Sequence, residues 1–341
     1  MRFVGGAETR RNVLVDGNNL IHRAYYAFVE SRLKEGKPLL CSPGGFPTGV
    51  IYGFLSMLSS WLYDIPSFTS VSVFFDGVPS RRLSVDPEYK AGRDSHELKM
   101  GVSDAQVFRL RDGREVRGEI ELLAVVLQLL GCDVYHHPRE EADDLIASFV
   151  RSRPGEVHVI VSADRDFFQL LTDPRVVCYL PGIDGDRFFD AERSGQHWAR
   201  LNKGKHPAVP PSHVRMFKAL CGDASDAIHG VERLRKRVAV PLCHHVSVDD
   251  LYATGFPGFS DVEKEKAVAA RDRIRTNYEL VGLYETVDLS ECRRPGVADA
   301  AAAKDLCRED LGIGSLDFSP FKTGPTPSVP AIPVASWLLD I

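Results

Sequence analysis

Three short apolar runs in the sequence each lead into an acidic residue. The runs have the length and composition of buried β-strands. They are Val13-Leu14-Val15 with Asp16, residues 71–75 with Asp76, and residues 157–161 with Asp164. Further strands are predicted at residues 133–136 and 176–180, and helices at residues 20–28, 48–65, 115–130 and about 140–150. Strands that alternate with helices predict an α/β fold with a mainly parallel sheet flanked by helices.

Acidic residues at the ends of successive parallel strands are expected to converge. The carboxyl ends of such strands meet at one edge of the sheet, where open α/β folds bind their ligands. Asp16, Asp76 and Asp164 should therefore lie close together. Other acids near these strand ends or in the first turn of the following helix are Glu141, Asp143, Asp144 and Asp166.

Each of these acids also has an ordinary explanation. Acids in a first helical turn complement the helix dipole, and an Asp-Gly pair after a strand is common in turns. Independent turns and caps, however, would not need acids at the ends of successive strands. Clustered carboxylates repel one another unless cations neutralise them, and their oxygen atoms suit Mg²⁺, with Mn²⁺ as a substitute. The pattern favours a site for two Mg²⁺ ions that could hydrolyse a phosphodiester.

The rest of the chain divides by composition. Residues 78–117 are rich in Arg, Lys, Gly and Asp and have poor periodicity, which is typical of a functional loop or of a disordered segment. Shorter helical pieces from residue 207 to about 292 predict a second, helical domain. Residues 293–341 are rich in Ala and Pro and are predicted to form a flexible tail.

Composition excludes several classes of protein. A length of 341 residues with 44% hydrophobic and 26% charged residues fits a soluble, intracellular protein of two domains, and no apolar run is long enough for a membrane helix. Seven dispersed cysteines argue against a disulfide framework. The net charge of −5 hides a segment, residues 193–222, that has six Arg and Lys residues and no acidic residue. That part of the chain could face phosphate groups.

Five blocks of sequence, in order, resemble the signature blocks of the 5′-nucleases, the family of phage flap endonucleases and the N-terminal nuclease domains of bacterial DNA polymerases. The resemblance covers about residues 13–289. The blocks are Val13-Leu14-Val15-Asp16-Gly17-Asn18-Asn19, Asp76-Gly77 with Arg82 and residues 87–93, Glu141-Ala142-Asp143-Asp144, Ser162-Ala163-Asp164-Arg165-Asp166, and Gly222-Asp223-Ala224-Ser225-Asp226.

The resemblance implies a PIN-like nuclease domain, residues 1–206, joined to a helix-three-turn-helix domain, residues 207–292. It implies that two metal ions are held by Asp16, Asp76, Glu141 and Asp143, and by Asp144, Asp164, Asp166, Asp223 and Asp226. The basic segment at about residues 78–117 resembles the family's helical arch. There Tyr89 would stack on a base, Lys90 and Arg93 would hold the scissile phosphate as catalytic residues, and Arg82 would be a further phosphate contact.

One block departs from the family pattern. Typical members continue with a Gly-x-Gly hairpin that cradles duplex phosphate and a monovalent cation, whereas this chain has Arg233, Arg235 and Lys236 there. The departure argues against a K⁺ site and favours phosphate contact through side chains. The alternative for Arg233 and Arg235 is a solvated helical face.

The resemblance implies a free-standing, monomeric cytoplasmic enzyme of a bacterium or of a phage-infected cell. It would act as a 5′-3′ exonuclease and flap endonuclease on branched or nicked DNA and on RNA–DNA hybrid. Alternatives are a PIN-type ribonuclease and a catalytically silent protein that binds branched DNA. The apolar residues 334–341 are either a docking peptide for a sliding clamp or single-strand-binding protein or a segment packed onto the domain.

Overall fold

The computed structural model describes residues 10–90, 107–109, 115–182, 185, 187–201, 208–245 and 247–321. The strands of these residues are β1 Arg11–Asp16, β2 Ser70–Phe75, β3 Val107–Arg109, β4 Glu115–Arg117, β5 Asp133–His136, β6 Val157–Val161, β7 Val176–Tyr179, β8 Phe188–Phe189, β9 Gly222–Asp223, β10 Ile228–His229 and β11 Arg293–Arg294.

The α-helices are α1 Gly17–Tyr25, α2 Ser31–Lys34, α3 Gly49–Asp64, α4 Ser80–Val85, α5 Gly118–Leu129, α6 Ala142–Ser152, α7 Ala191–Leu201, α8 Val214–Cys221, α9 Lys236–Ala239, α10 Val248–Ala253, α11 Asp261–Ala269, α12 Arg271–Leu280 and α13 Ala300–Asp305. Short 3-10 segments are Asp166–Thr172, Pro211–His213, Ala224–Asp226 and Val240–Leu242, and π-helical segments are Tyr26–Glu30 and Leu306–Asp310. Within the described residues, no helix is long and apolar enough to cross a membrane.

The main sheet has the strand order β11-β5-β2-β1-β6-β7-β8. The five inner strands are parallel, and β11 and β8 are antiparallel to their neighbours, so the predicted mainly parallel α/β sheet is confirmed. The chain order reverses at β1, because β2 lies on one side of it and β6 on the other. In open parallel sheets the crevice beyond the strand ends at such a reversal is the ligand site.

Two hydrophobic cores cover the two faces of the sheet. Val13 and Val15 pack with helices α1, α3 and α5, whereas Leu14 packs on the opposite face, as the alternation of a strand requires. The second core also contains Phe149 of α6 and Phe217 of α8. The helical unit that contains α8 to α12 therefore shares one core with the main sheet. Its helices agree with the predicted helical character, and the helix-three-turn-helix assignment stays a prediction.

The C-terminal part of the described chain differs from the sequence-based expectation. A flexible tail was predicted from residue 293, but β11 pairs with β5 and closes one edge of the sheet. Beyond it, α13 begins at an Asp299 cap, and Phe318 and Phe321 are buried in the first core. The prediction is wrong for residues 293–321, because apolar residues spaced along this segment pack into the first core. Residues 322–341, including the apolar end at 334–341, lie outside the described residues.

Candidate metal centre

Asp16 and Asp76 are fixed at the ends of β1 and β2 by hydrogen bonds to neighbouring elements. One oxygen of Asp16 accepts the Asn19 amide at 3.0 Å and the other accepts Ser162 Oγ at 2.7 Å. The Asp76 carboxylate accepts the Ala142 amide at 2.7 Å, at the start of α6. These bonds satisfy amide groups in first helical turns and at the same time hold both carboxylates at the reversal point of the sheet.

The glycine after each of these acids is required by a close approach of the backbone. A Cβ atom at Gly17 would lie 2.6 Å from the Phe74 carbonyl oxygen, and one at Gly77 would lie 2.0 Å from the His137 carbonyl oxygen. Neither glycine has a positive φ. The glycines of the two Asp-Gly pairs are therefore required by close packing of the backbone.

Asp16, Asp76, Asp143 and Asp164, named here the first acid group, interact electrostatically. Burial and the charge of Asp76 raise the pKa of Asp16 to about 7. Burial, followed by the charges of Asp164 and Asp16, raises the pKa of Asp143 well above its ordinary value. Carboxylates held together against their own repulsion favour the binding of cations.

Asp166, Asp223 and Asp226 form a second acid group. One carboxylate oxygen from each lies within 4.8 Å of the others. Lys218 contacts the Asp166 carboxylate, and its Nζ lies 2.5 Å from Asp223 Oδ2. Although burial alone would raise the pKa of Asp223, Lys218 and Ser225 outweigh it and lower the pKa. Both groups offer only carboxylate oxygens, which is the donor set that hard divalent ions such as Mg²⁺ prefer.

Glu141 lies between two basic side chains. Its Oε2 lies 2.5 Å from Arg82 Nη1, and its Oε1 contacts Lys90 Nζ. Burial opposes the charged form of Lys90, but the Glu141 carboxylate outweighs it and raises the pKa of Lys90 well above its ordinary value. Lys90 also has a left-handed backbone, with φ of 56°, which a residue other than glycine adopts only when its surroundings hold it there. The lysine that the sequence places in the arch thus lies against a predicted metal ligand.

Arg82 and Asp144 differ from their sequence-based assignments. The side chain of Arg82 is 3% exposed, and its guanidinium donates to Asp144, to Glu141 and to the backbone oxygens of Leu280 and Gly282. In this structure the N–H groups of Arg82 are thus directed to protein oxygens, and its contact with phosphate stays a prediction. Both oxygens of Asp144 accept from Arg82, and one also accepts the Tyr284 amide at 2.9 Å, so Asp144 is engaged by the protein and not directed to a metal ion.

Tyr89 is buried against the helical unit. Its neighbours are Ile228, Leu280 and Val281, and Lys90 Nζ lies 5.1 Å from its ring centroid. The stacking of a base on Tyr89 stays a prediction, because the ring is covered in this structure. Arg93 lies outside the described residues.

The basic residues near the second acid group have different surroundings. Lys236 lines a cavity of about 380 Å³ together with Asp164, Lys218 and Asp223. The side chain of Arg233 is 83% exposed and lies 3.2 Å from Glu232. Arg235 forms a two-point pair with Glu263, with N–O distances of 2.7 and 2.6 Å. Lys236 is therefore next to the acids, whereas Arg235 is held by another part of the helical unit.

Sequence reasoning missed several residues of the site. Lys218 was noted only as part of a basic segment, although it precedes Asp223 by five residues on the helix that leads to it. Ser162 and Asn19 lie in the matched blocks but were given no role, and Asn19 Oδ1 accepts the Ala163 amide at 3.2 Å. The positions of Ser162 and Asn19 next to the acids in the sequence indicate that they could support the site. The pairing of Lys218 depends on tertiary structure and has no such sequence signal.

The fold and the acids together define a PIN-like nuclease architecture, and comparisons with known proteins agree. Residues 11–198 match the family model of the 5′-3′ exonuclease N-terminal resolvase-like domain. The chain belongs to this 5′-3′ exonuclease family.

Two relatives illustrate the range of the family. DNA polymerase I of Mycobacterium tuberculosis is 31% identical over 231 residues, which cover 67% of this chain and 22% of the polymerase. The chain thus spans about a fifth of the length of that relative. A 5′-3′ exonuclease of Aquifex aeolicus is 25% identical over 312 residues, with 91% of this chain and 89% of the relative covered.

Solved structures share the fold. The bacteriophage T5 flap endonuclease in a complex with DNA and metal ions is 21% identical, with a TM-score of 0.56, and the match covers 81% of this chain and 90% of that one. The T5 5′-exonuclease with bound zinc gives the same TM-score of 0.56.

Proposed function

We propose that the chain is a Mg²⁺-dependent phosphodiester hydrolase that acts as a 5′-3′ exonuclease and flap endonuclease on branched or nicked DNA. The observation that carries the proposal is the placement of the first acid group at the carboxyl end of the sheet. Asp16 ends β1, Asp76 and Asp164 follow β2 and β6, Asp143 lies in the first turn of α6, and burial and the charge of Asp76 raise the pKa of Asp16 to about 7. A cluster of this kind in a ligand crevice is suited to cations and not to packing.

The first acid group and Glu141 would hold one divalent ion, and the second acid group would take the other. Bound divalent ions supply Lewis acidity that activates water and neutralises charge on the phosphate. The chain's own contribution is to orient the carboxylates, through Ser162 on Asp16 and the Ala142 amide on Asp76. The contacts of Asp144 with Arg82 leave it outside the proposed ligand set.

Basic residues beside the acids support a nucleic-acid substrate. Lys90 lies against Glu141, and Lys236 shares a cavity with Asp164 and Asp223. Positive side chains at these positions could hold the phosphates on either side of the scissile bond. The names of the relatives, a 5′-3′ exonuclease and a DNA polymerase I, and the DNA in the T5 flap endonuclease complex support DNA as this substrate.

The experiment uses a 5′-flap duplex labelled at both ends, incubated with the full chain in Mg²⁺ and then in EDTA. Cleavage near the junction of single and double strand is expected in Mg²⁺ alone. Asp164→Ala should reduce cleavage by about a hundredfold or more while DNA binding persists, because the change removes a ligand atom and not a basic contact.

Asp249→Ala is the matched control, because Asp249 is an exposed acid of the helical unit that pairs with Arg271 and Arg275. It should cleave like the unchanged protein. Cleavage of single-stranded RNA but not of the flap would support the ribonuclease alternative. Binding of the flap without cleavage in Mg²⁺ or Mn²⁺ would support the catalytically silent protein.

A further inference from the structure

Lys218 is a buried cation in the middle of the second acid group. It lies on α8, and its side chain is 7% exposed. Its ammonium contacts Asp166 Oδ1, and Asp223 Oδ2 lies 2.5 Å from it. A buried ammonium is costly unless it is paired, and here two carboxylates pair with it.

The carboxylate oxygens that hold Lys218 belong to the residues that would hold a divalent ion. The other oxygen of Asp223 accepts the Ser225 amide at 3.0 Å and the Ser225 hydroxyl at 2.5 Å, so Oδ2 is the oxygen left for a cation. Asp226 offers an oxygen within 4.8 Å of those of Asp166 and Asp223. A divalent ion bound to these residues would repel the ammonium at contact distance, so the two cations compete for the same carboxylates.

We propose that Lys218 is a built-in counter-ion of the second acid group, which a divalent ion must displace in order to bind. The inference rests on the proposed function, because it takes the second acid group as a place for Mg²⁺. Lys218 neutralises Asp166 and Asp223 while no metal ion is bound, and it thereby weakens the affinity of this group for the ion.

The structure offers a place for the displaced ammonium. Lys218 lines the cavity of about 380 Å³, whose wall also includes Phe217 and Lys236. A lysine has a long flexible stem, so its ammonium can move into this cavity without movement of the α8 backbone. The ammonium of Lys218 therefore stays in the crevice after it leaves Asp166 and Asp223.

The test measures Mg²⁺ binding to the DNA-free full chain by titration calorimetry. Lys218→Met should bind Mg²⁺ at the second acid group about tenfold more tightly than the unchanged protein, because the competing cation is removed. Lys218→Arg keeps the positive charge and should retain weak binding. Lys34→Met is the control, because Lys34 is an exposed lysine of α2 that pairs with Glu30 outside the metal centre, and this variant should bind Mg²⁺ like the unchanged protein.

Thermal unfolding gives a second readout that does not depend on activity. Lys218→Met should have a lower unfolding midpoint than the unchanged protein in EDTA, and Mg²⁺ should close the difference. If the variant is unfolded in EDTA, refolding by Mg²⁺ is the expected result.

Unchanged or weaker Mg²⁺ affinity of Lys218→Met would overturn the inference, and so would an equal loss of stability in EDTA and in Mg²⁺. A variant that is unfolded in both conditions would also overturn it, because the role of Lys218 would then be structural. If the unchanged protein and the variant both bind no divalent ion, the proposed metal centre fails together with the inference. Normal Mg²⁺ binding that is insensitive to Lys218 removes the inference alone.

Discussion

Arg82 holds the carboxylate of Asp144 at two points, with Nη1 2.5 Å from Oδ2 and Nη2 2.9 Å from Oδ1. Its remaining hydrogen bonds go to Glu141 and to the carbonyl oxygens of Leu280 and Gly282, at 2.5, 2.9 and 2.8 Å. An arginine has five N–H groups, and all of them are used here. The pair therefore joins α4, the start of α6 and the end of α12 beside the metal centre.

Removal of one partner of this pair should destabilise the protein strongly. Arg82→Met leaves Asp144 buried without its cation and should lower the free energy of unfolding by about 3 to 5 kcal/mol, measured by urea denaturation. The double variant Arg82→Met with Asp144→Leu should recover much of that loss, because no buried charge remains unpaired. If the double variant regains full flap cleavage together with its stability, the Arg82–Asp144 pair does not help to position Glu141.

A methyl group at Gly77 should shift the backbone beside Asp76 and so disturb the metal centre. Gly77→Ala would bring a Cβ atom to 2.0 Å from the His137 carbonyl oxygen, so the chain beside Asp76 must move. We expect a loss of about 1 to 3 kcal/mol in the free energy of unfolding and a larger relative loss of flap cleavage. Gly314→Ala is the control, since its Cβ atom would meet no atom within 4 Å. Equal behaviour of the two variants would contradict the close approach.

Glu119 should make stability depend on pH. It is buried, the Val50 amide donates to it at the start of α3, and burial raises its pKa from 4.5 to about 7. A carboxyl group whose pKa is raised in the folded state favours folding below its unfolded pKa, and this contribution is lost as the pH rises through the folded pKa. The free energy of unfolding should therefore fall by roughly 3 kcal/mol between about pH 4.5 and about pH 7 because of this group.

Glu119→Gln tests this dependence, because the amide stays neutral at every pH. Urea denaturation at a series of pH values should show a smaller decline for the variant than for the unchanged protein. Identical slopes would mean that the carboxyl group is ionised in the folded state.

The C-terminal segment should contribute to stability through Phe318. The side chain is 7% exposed and belongs to the first core, although it lies in a stretch predicted from sequence to be flexible. Phe318→Ala should lower the free energy of unfolding by about 3 kcal/mol or more, whereas Val262→Ala, at a residue 61% exposed, should change it little. Equal, small effects of both changes on urea denaturation would show that the segment is not packed in solution.

Much of the fold could be predicted from sequence because local patterns carried it. The strands at residues 133–136 and 157–161 were predicted with their observed bounds, because short runs with β-branched and aromatic residues indicate strands. The helix predicted at residues 115–130 begins at Gly118, because residues 115–117 form a strand with β3. The strands β3 and β4 lie in segments of poor hydrophobic periodicity, so local sequence patterns do not predict their pairing.

The acids at the strand ends were located from the sequence alone, as was the order along the chain of the strands that carry them. The sequence also determined the family, because ordered blocks of residues survive as a linear pattern. Tertiary structure decided which charges meet: Arg82 faces Asp144, and Lys218 faces Asp166 and Asp223. The physical reason is that an ion pair depends on distances of a few ångströms between residues that are far apart in the chain, and only the packing of the helical unit on the sheet sets those distances.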